Sequence, residues 1–131
     1  MPVRYRIDVG KRLLHYRMEG ALTGNDVVAV VREALSDPAY DVGLRTLIDA
    51  RYISSIEQGS EAVRSIAYGV SAPLDRHGAR GLVVIVAGSD VVFGLGRMYE
   101  LLRSDSPENV RVCRTLEEAA AAFGLDPAEL E

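Results

Sequence analysis

The run LVVIVA, residues 82–87, constrains the fold more than any other feature of this chain. Six apolar residues are far too few to cross a membrane, and they are fewer than a helix of a globular protein usually contains. Such a run is typical of a strand that is buried on both faces, and LRTLIDA, residues 44–50, has the same character. Strands of this kind belong to sheets covered by helices, so the two runs predict an α/β fold.

The segments around these two strands complete the predicted order of elements. Residues 3–9 and 12–20 alternate between apolar and polar, and Gly10-Lys11 lies between them as a two-residue hairpin turn. The third strand is predicted to end at Asp49. Four helices and a fifth strand follow from the remaining periodicity: helices at 23–35, 54–72, 89–102 and 115–123, and a strand at 109–114. The order is β-β-α-β-α-β-α-β-α, a mixed sheet in one domain of residues 1–131 with a frayed tail at 125–131.

The stretch LIDARYISSIEQGS places two serines where a helix is predicted to begin. Ser54 with Glu57, and Ser55 with Gln58, both match the capping-box pattern, so helix 2 should start at one of these serines and end at Pro73. As the N-cap, either serine would stabilise the protein by about 0.5–2 kcal/mol. Capping therefore competes with any role of these serines in binding. The same pattern opens helices 1 and 4: Thr23 with Asp26, and Thr115 with Glu118.

Composition argues against several classes of function. The net charge is −4 and the basic residues are not clustered along the sequence, so we expect no binding to nucleic acid and no membrane insertion. With a single cysteine and no apolar leader, a cytoplasmic protein is expected. His15 and His77 are far apart and should face solvent, which leaves no zinc-ligand spacing. No nucleophile elbow or dinucleotide fingerprint is present, so no catalytic residue, metal or cofactor is predicted.

The chain resembles the SpoIIAA-like family over essentially its whole length. The resemblance rests on the order of elements and on four segments: GALTGNDV, LIDAR, VFGLGRMYE and VRVCRTLEEAAAAFG. It implies a STAS-like domain, with a topology shared with CRAL-TRIO lipid-binding domains. In the anti-sigma-factor antagonists among STAS domains, a serine in a D-S-S-G-type motif is phosphorylated at the start of the helix after strand 3. That motif falls here on EQGS, residues 57–60, and the switch position carries Gln58 or Gly59 rather than serine.

Two regions contain the candidate contact residues. Asp49 and Arg51 leave the carboxyl end of a buried strand, where open α/β sheets usually bind ligands, although Asp49 could equally cap the local turn or pair with Arg97. In helix 3, Gly94 and Gly96 each cost about 0.5–1 kcal/mol relative to alanine. We therefore expect helix 2, a second copy or a ligand to approach that backbone, unless the turn simply faces solvent. The full set of predicted ligand or partner contacts is Asp49, Arg51, Ser54, Ser55, Phe93, Gly94, Gly96 and Arg97.

Taken with the resemblance, these features predict a non-enzymatic STAS-like protein-interaction module. We expect a homodimer that also binds a protein partner not identified by the sequence. The alternative is a binding protein or sensor for a small apolar or lipid-like ligand held between helices 2 and 3. A closed core between those helices would favour the first function, and an apolar pocket of several hundred Å3 would favour the second.

Overall fold

A five-stranded mixed sheet forms the centre of the protein, of which the computed structural model describes residues 2–131. The strands lie in chain order: β1 (Val3–Asp8), β2 (Leu13–Leu22), β3 (Arg45–Ile56), β4 (Gly81–Val86) and β5 (Glu108–Cys113). β1 and β2 are antiparallel, and every later pair is parallel. The helices are α1 (Gly24–Leu35), α2 (Ser60–Arg76), α3 (Asp90–Leu102) and α4 (Leu116–Phe123), followed by a 3-10 helix (Pro127–Leu130). The predicted α/β class and element order are confirmed.

Helices cover both faces of this sheet. Because each parallel strand is added beside its predecessor, right-handed crossovers place α1, α2 and α3 on one face, which we call the three-helix face. α4 and the 3-10 helix pack on the other, the α4 face, against Leu47, Val84 and Val86. β3 and β4 are thus covered on both sides, which accounts for their uninterrupted apolar runs. None of the helices within residues 2–131 has the length and apolar character needed to cross a membrane.

β3 is longer than the sequence predicts. Its pairing with β4 ends at Asp49, but its pairing with β2 continues to Ile56, so the strand does not end at Asp49. The second half of β3 therefore has one strand neighbour instead of two. The apolar run in the sequence marks only the first half of β3, the half that helices cover on both faces of the sheet.

The two serines of this segment lie in the strand and cap no helix. Ser54 and Ser55 are exposed residues of β3. α2 begins at Ser60, and its N-cap is Gly59, which has a φ of 48° and offers no side chain to the first turn. The prediction that a serine caps helix 2 is wrong, because pairing with β2 extends the strand through a local capping signal.

Two further boundaries differ from the predictions. The hairpin connection comprises residues 9–12, not two residues, and Arg12 adopts a φ of 53° in it. α2 continues through Pro73 to Arg76, because the proline lies near the helix end and its ring is buried in the core. The helices predicted to start after Thr23 and Thr115 do so, and each threonine accepts the expected backbone N–H.

The segment 125–131 is folded, which corrects the prediction of a frayed tail. Asp126 and Glu129 form a capping box around the 3-10 helix, with bonds of 3.0 Å to the Ala128 N–H and 2.8 Å to the Asp126 N–H. Leu130 is 1% exposed and packs in the α4-face core with Leu47. The tail is therefore part of the core.

Candidate functional site

An apolar cavity of about 100 Å3 lies between the sheet and the helices of the three-helix face. Three isoleucines of β3 contribute to it, together with side chains of α2 and α3: Ile48, Ile53, Ile56, Val63, Ile66, Leu95 and Tyr99. Several of these side chains are only half-buried, among them Ile53, Ile66 and Leu95. The region between α2 and α3 is therefore neither a closed core nor a pocket of several hundred Å3.

Two irregularities in the pairing of β3 with β2 shape this cavity. The register shifts between Arg17 and Glu19 of β2, and again between Gly20 and Ala21. A bulge inserts one extra residue and reverses the alternation of side chains beyond it. As a result Ile53 lines the same cavity as Ile48, although five positions separate them. Sequence periodicity could not identify this wall, because the bulges break the period of two.

The two glycines of α3 have different surroundings. A Cβ added at Gly96 would lie 3.1 Å from Val112 Cγ1 and 3.6 Å from Ile85 Cγ2, whereas nothing lies within 4 Å of a Cβ at Gly94. The expected close approach is therefore present at Gly96, where the neighbour is the sheet of the same chain. At Gly94 the helix faces open space, so the alternative of a solvent-facing turn holds there.

Alanine at these two positions should change stability in opposite directions. Gly94→Ala should raise the melting temperature, because it stabilises an open helical site by about 0.4–1 kcal/mol. Gly96→Ala should lower it by forcing a methyl against Val112, at a cost of about 1–3 kcal/mol. Thermal and urea unfolding of both variants provide the measurement, with each variant serving as the control for the other. Equal shifts of the same sign would contradict the packing of α3 described above.

One side of α3 carries apolar side chains that are at least partly exposed, and one of them, Leu95, also lines the cavity. Val91, Leu95, Met98 and Leu102 recur at i, i+4, i+7 and i+11, and Leu101 lies beside them; we call these five residues the α3 row. Val91, Leu101 and Leu102 are 74%, 69% and 47% exposed. Val91 and Leu102 are exposed because the helix turns the side carrying Val92 and Gly96 towards the sheet.

Phe93 and Arg97 have separate partners on α3. The guanidinium of Arg114 lies 4.0 Å from the Phe93 ring centroid, and Arg114 also pairs with Asp90 at 2.7 Å. Arg97 pairs with Glu100 at 3.5 Å on the exposed surface, so it is not the partner of the strand aspartate. Neither residue lines the cavity.

Asp49 is held by Arg51 on the α4 face. Two bonds of 2.9 Å join the guanidinium to the two carboxylate oxygens, and the Arg51 N–H adds a third at 3.2 Å. Asp49 is 1% exposed. Burial acts to raise the pKa of its carboxyl, but the bonds from Arg51 and the nearby positive charge prevail, so that the pKa is lowered. The carboxylate is thus a structural ion-pair partner, and the arginine with which it pairs is Arg51, not Arg97.

His15 lies beside this pair and is also buried. Its exposure is 6%, which corrects the prediction of a solvent-facing histidine; His77 is exposed as predicted. Burial, with a contribution from the Arg6 charge, lowers the pKa of His15 to about 4, so the ring is neutral at pH 7. Polar neighbours in the sequence suggested an open face, but the chain's last residues lie over this region: Lys11 and Arg6 bond to the main-chain oxygens of Glu129 and Glu131.

The predicted contact residues do not form a single site. Asp49 and Arg51 lie on the α4 face, whereas Gly96 lies under α3 on the opposite face. Ser54 and Ser55 are exposed on the extended half of β3. Within residues 2–131, no group of three or more His, Cys, Asp or Glu side chains is placed to hold a metal ion. The structure therefore offers an apolar cavity and an apolar helix surface as candidate sites.

Solved structures share this architecture. Comparison with protein-family models gives no match, and comparison with curated protein sequences gives none either. The chain is similar to a protein of the DUF3478 family with a SpoIIAA-like fold from Shewanella loihica PV-4, with 14% identity, coverage of 92% of this chain and 91% of the other, and a TM-score of 0.56. It is also similar to the anti-sigma factor antagonist SpoIIAA in its unphosphorylated form, with 11% identity, coverage of 92% and 94%, and a TM-score of 0.55.

These likenesses show the fold of the protein. The chain has a STAS-type, SpoIIAA-like α/β fold, as its sequence predicts. At these identities the likeness concerns the fold alone.

Proposed function

We propose that this chain is a non-enzymatic STAS-type interaction module that binds a protein partner through the α3 row. The observation that supports this function is the exposure of Val91, Leu101 and Leu102 along one side of a single helix. Contiguous exposed apolar side chains are typical of contact surfaces. Tyr68, which is 88% exposed on the adjacent helix α2, adds an aromatic side chain of the kind enriched in interfaces.

The proposed module works without a phosphorylated serine at the start of α2. The turn before that helix carries Gln58 and Gly59, which have no hydroxyl group, at the positions where the resemblance places the switch. Ser60 follows as the first residue of α2 and is exposed. Phosphopeptide mapping from cells should find Ser54, Ser55 and Ser60 unmodified. Stoichiometric phosphate on any of them would overturn this part of the proposal.

Native mass spectrometry of protein purified from its own host tests the interaction directly. We expect a homodimer or a complex with another protein that is lost when Val91→Asp and Leu101→Lys are combined. These charges suit the two ends of the helix dipole, so α3 itself should remain intact. Ala29→Lys on the exposed side of α1 is the matched control and should keep the complex. The proposal would be contradicted if the parent protein were a monomer without a bound partner. It would also be contradicted if the double variant formed the same complexes as the parent.

The cavity supports a second candidate function, the binding of a small apolar ligand. Its lining is almost entirely apolar, as such a site requires. Its 100 Å3 is nevertheless smaller than the roughly 300–1,000 Å3 of most ligand pockets. A lipid-like ligand would therefore need α2 and α3 to move apart. The same mass spectra decide this, because a small molecule retained by the folded monomer would favour the second function.

A further inference from the structure

A polar pocket lies on the α4 face beside the edge strand β1, on the opposite side of the sheet from the apolar cavity. Its volume is about 310 Å3, which is at the lower end of the range for small-molecule sites. Its walls are formed by six residues: Arg4, Tyr5, Arg6, His15, Arg17 and Glu131. The arginines are far apart in the sequence and are gathered only by the hairpin of β1 and β2.

Positive charge exceeds negative charge in this pocket. The antiparallel register places Arg4 directly opposite Arg17, and like charges in that relation are destabilising unless an anion lies between them. Glu19 supplies one carboxylate to both, at 2.6 Å from Arg4 Nη2 and 2.9 Å from Arg17 Nε. One negative charge therefore balances two guanidinium groups.

Arg6 adds a third guanidinium without an acidic side chain as its partner. It lies directly opposite His15 in the register and donates to His15 Nδ1 over 2.9 Å. Its other contact is with the main-chain oxygen of Glu131 at 3.3 Å. Within residues 2–131, no Asp or Glu side chain forms an ion pair with Arg6. Glu131 also lines the pocket, so the three guanidinium groups exceed the carboxylates of Glu19 and Glu131 by one positive charge.

His15 lines the pocket beside Arg6, and its bond with Arg6 determines which ring nitrogen carries the proton. Arginine can only donate, so His15 Nδ1 accepts the bond from Arg6, and the ring proton of this neutral histidine is on Nε2. Nε2 is buried, and no group in residues 2–131 accepts a bond from it. An atom so deeply buried is out of reach of a molecule in the pocket, so the donors that a ligand can meet there are the guanidinium groups.

We propose that this pocket binds a small oxyanion, a molecule that carries a carboxylate or phosphate group. The guanidinium groups of Arg4, Arg6 and Arg17 offer the planar pairs of N–H donors that match such oxygens. A protein of net charge −4 with a basic pocket of this size suits a small anion better than a nucleic acid, which needs a continuous basic surface.

Titration of the protein with inorganic phosphate and, separately, with citrate tests this site at constant ionic strength. Histidine imidazole spectra by NMR are the readout, and the chain supplies its own reference because His77 is exposed and His15 is buried. We expect saturable shifts of the His15 signals and not of the His77 signals. The stronger of the two ligands identifies phosphate or carboxylate as the preferred group.

Two arginine variants complete the test. Arg6→Gln should weaken binding by about tenfold or more, as expected for the loss of a charge-assisted pair worth about 1.4 kcal/mol. Arg111→Gln should bind like the parent, because Arg111 is an exposed arginine on the opposite edge strand, β5. Three results would each overturn the proposal. Sodium chloride could produce the same shifts of the His15 signals, or Arg6→Gln could bind the anions as tightly as the parent. The third is tighter binding of an oligonucleotide than of either small anion.

Discussion

Replacing Arg51 by methionine is expected to destabilise the protein by about 3–5 kcal/mol at pH 7, the usual result of leaving one member of a buried ion pair alone. Asp49 is 1% exposed and takes both of its side-chain ion-pair bonds from Arg51. Without the guanidinium, the buried carboxylate keeps only the bond from the backbone N–H of residue 51 and the effect of more distant charges. Urea unfolding at pH 7 gives the free energy directly.

The pH dependence of this variant separates a lost charge partner from lost packing. In the parent the pKa of Asp49 is lowered, so its contribution to stability is present above the unfolded pKa and is lost as pH falls. In Arg51→Met, burial should raise that pKa instead, which makes the penalty largest near neutral pH. The difference in stability between the two proteins should therefore shrink as pH falls from 7 towards about 4.

Two controls accompany this substitution. Arg97→Met removes an exposed arginine from its pair with Glu100 and should change stability by no more than about 1 kcal/mol. Combining Asp49→Asn with Arg51→Met removes the uncompensated charge and should recover part of the loss. A loss that does not depend on pH, or one that the Asp49→Asn change leaves untouched, would show that Arg51 acts by packing.

Leu130→Ala is expected to cost about 2–5 kcal/mol, the range for a large apolar side chain removed from a core. Leu130 is 1% exposed and packs in the cluster that contains Leu47, Val84 and Phe123. In urea unfolding, the midpoint concentration of urea should therefore be lower, whereas the dependence of the unfolding free energy on urea concentration should be similar to that of the parent. Leu101→Ala, which truncates a 69% exposed leucine, is the matched control and should stay within about 0.5 kcal/mol of the parent. Similar stabilities of the two variants would mean that the tail is not part of the core.

The sequence predicted the fold class because the relevant signals are local. Apolar runs, periodicity and two threonine caps lie within short segments, and the structure bears out the elements that they predict. β3 was predicted too short because its second half is held by β2, a neighbour across the sheet. The serine-capping prediction failed for the same reason. No local pattern reports a hydrogen bond to a strand that is distant in sequence.

The candidate sites were less predictable than the fold. His15 was predicted to face solvent, but its burial depends on residues more than a hundred positions later. Arginines that are scattered in the sequence become neighbours through the register of β1 with β2. The cavity wall at Ile53 follows two bulges. Each of these features arises from tertiary pairing, and a single sequence contains no direct signal for it.

The sequential strand order also bears on how the chain can fold while it is being synthesised. Each strand after β1 pairs with the strand that left the ribosome immediately before it, so none has to wait for a later segment or insert between two strands already in place. Growth of the sheet by one edge at a time keeps loop-closure distances short, which favours rapid folding. The α4 face is the exception, because Leu130 completes its core last. Until that residue emerges, the nascent chain exposes an apolar surface that a chaperone could recognise.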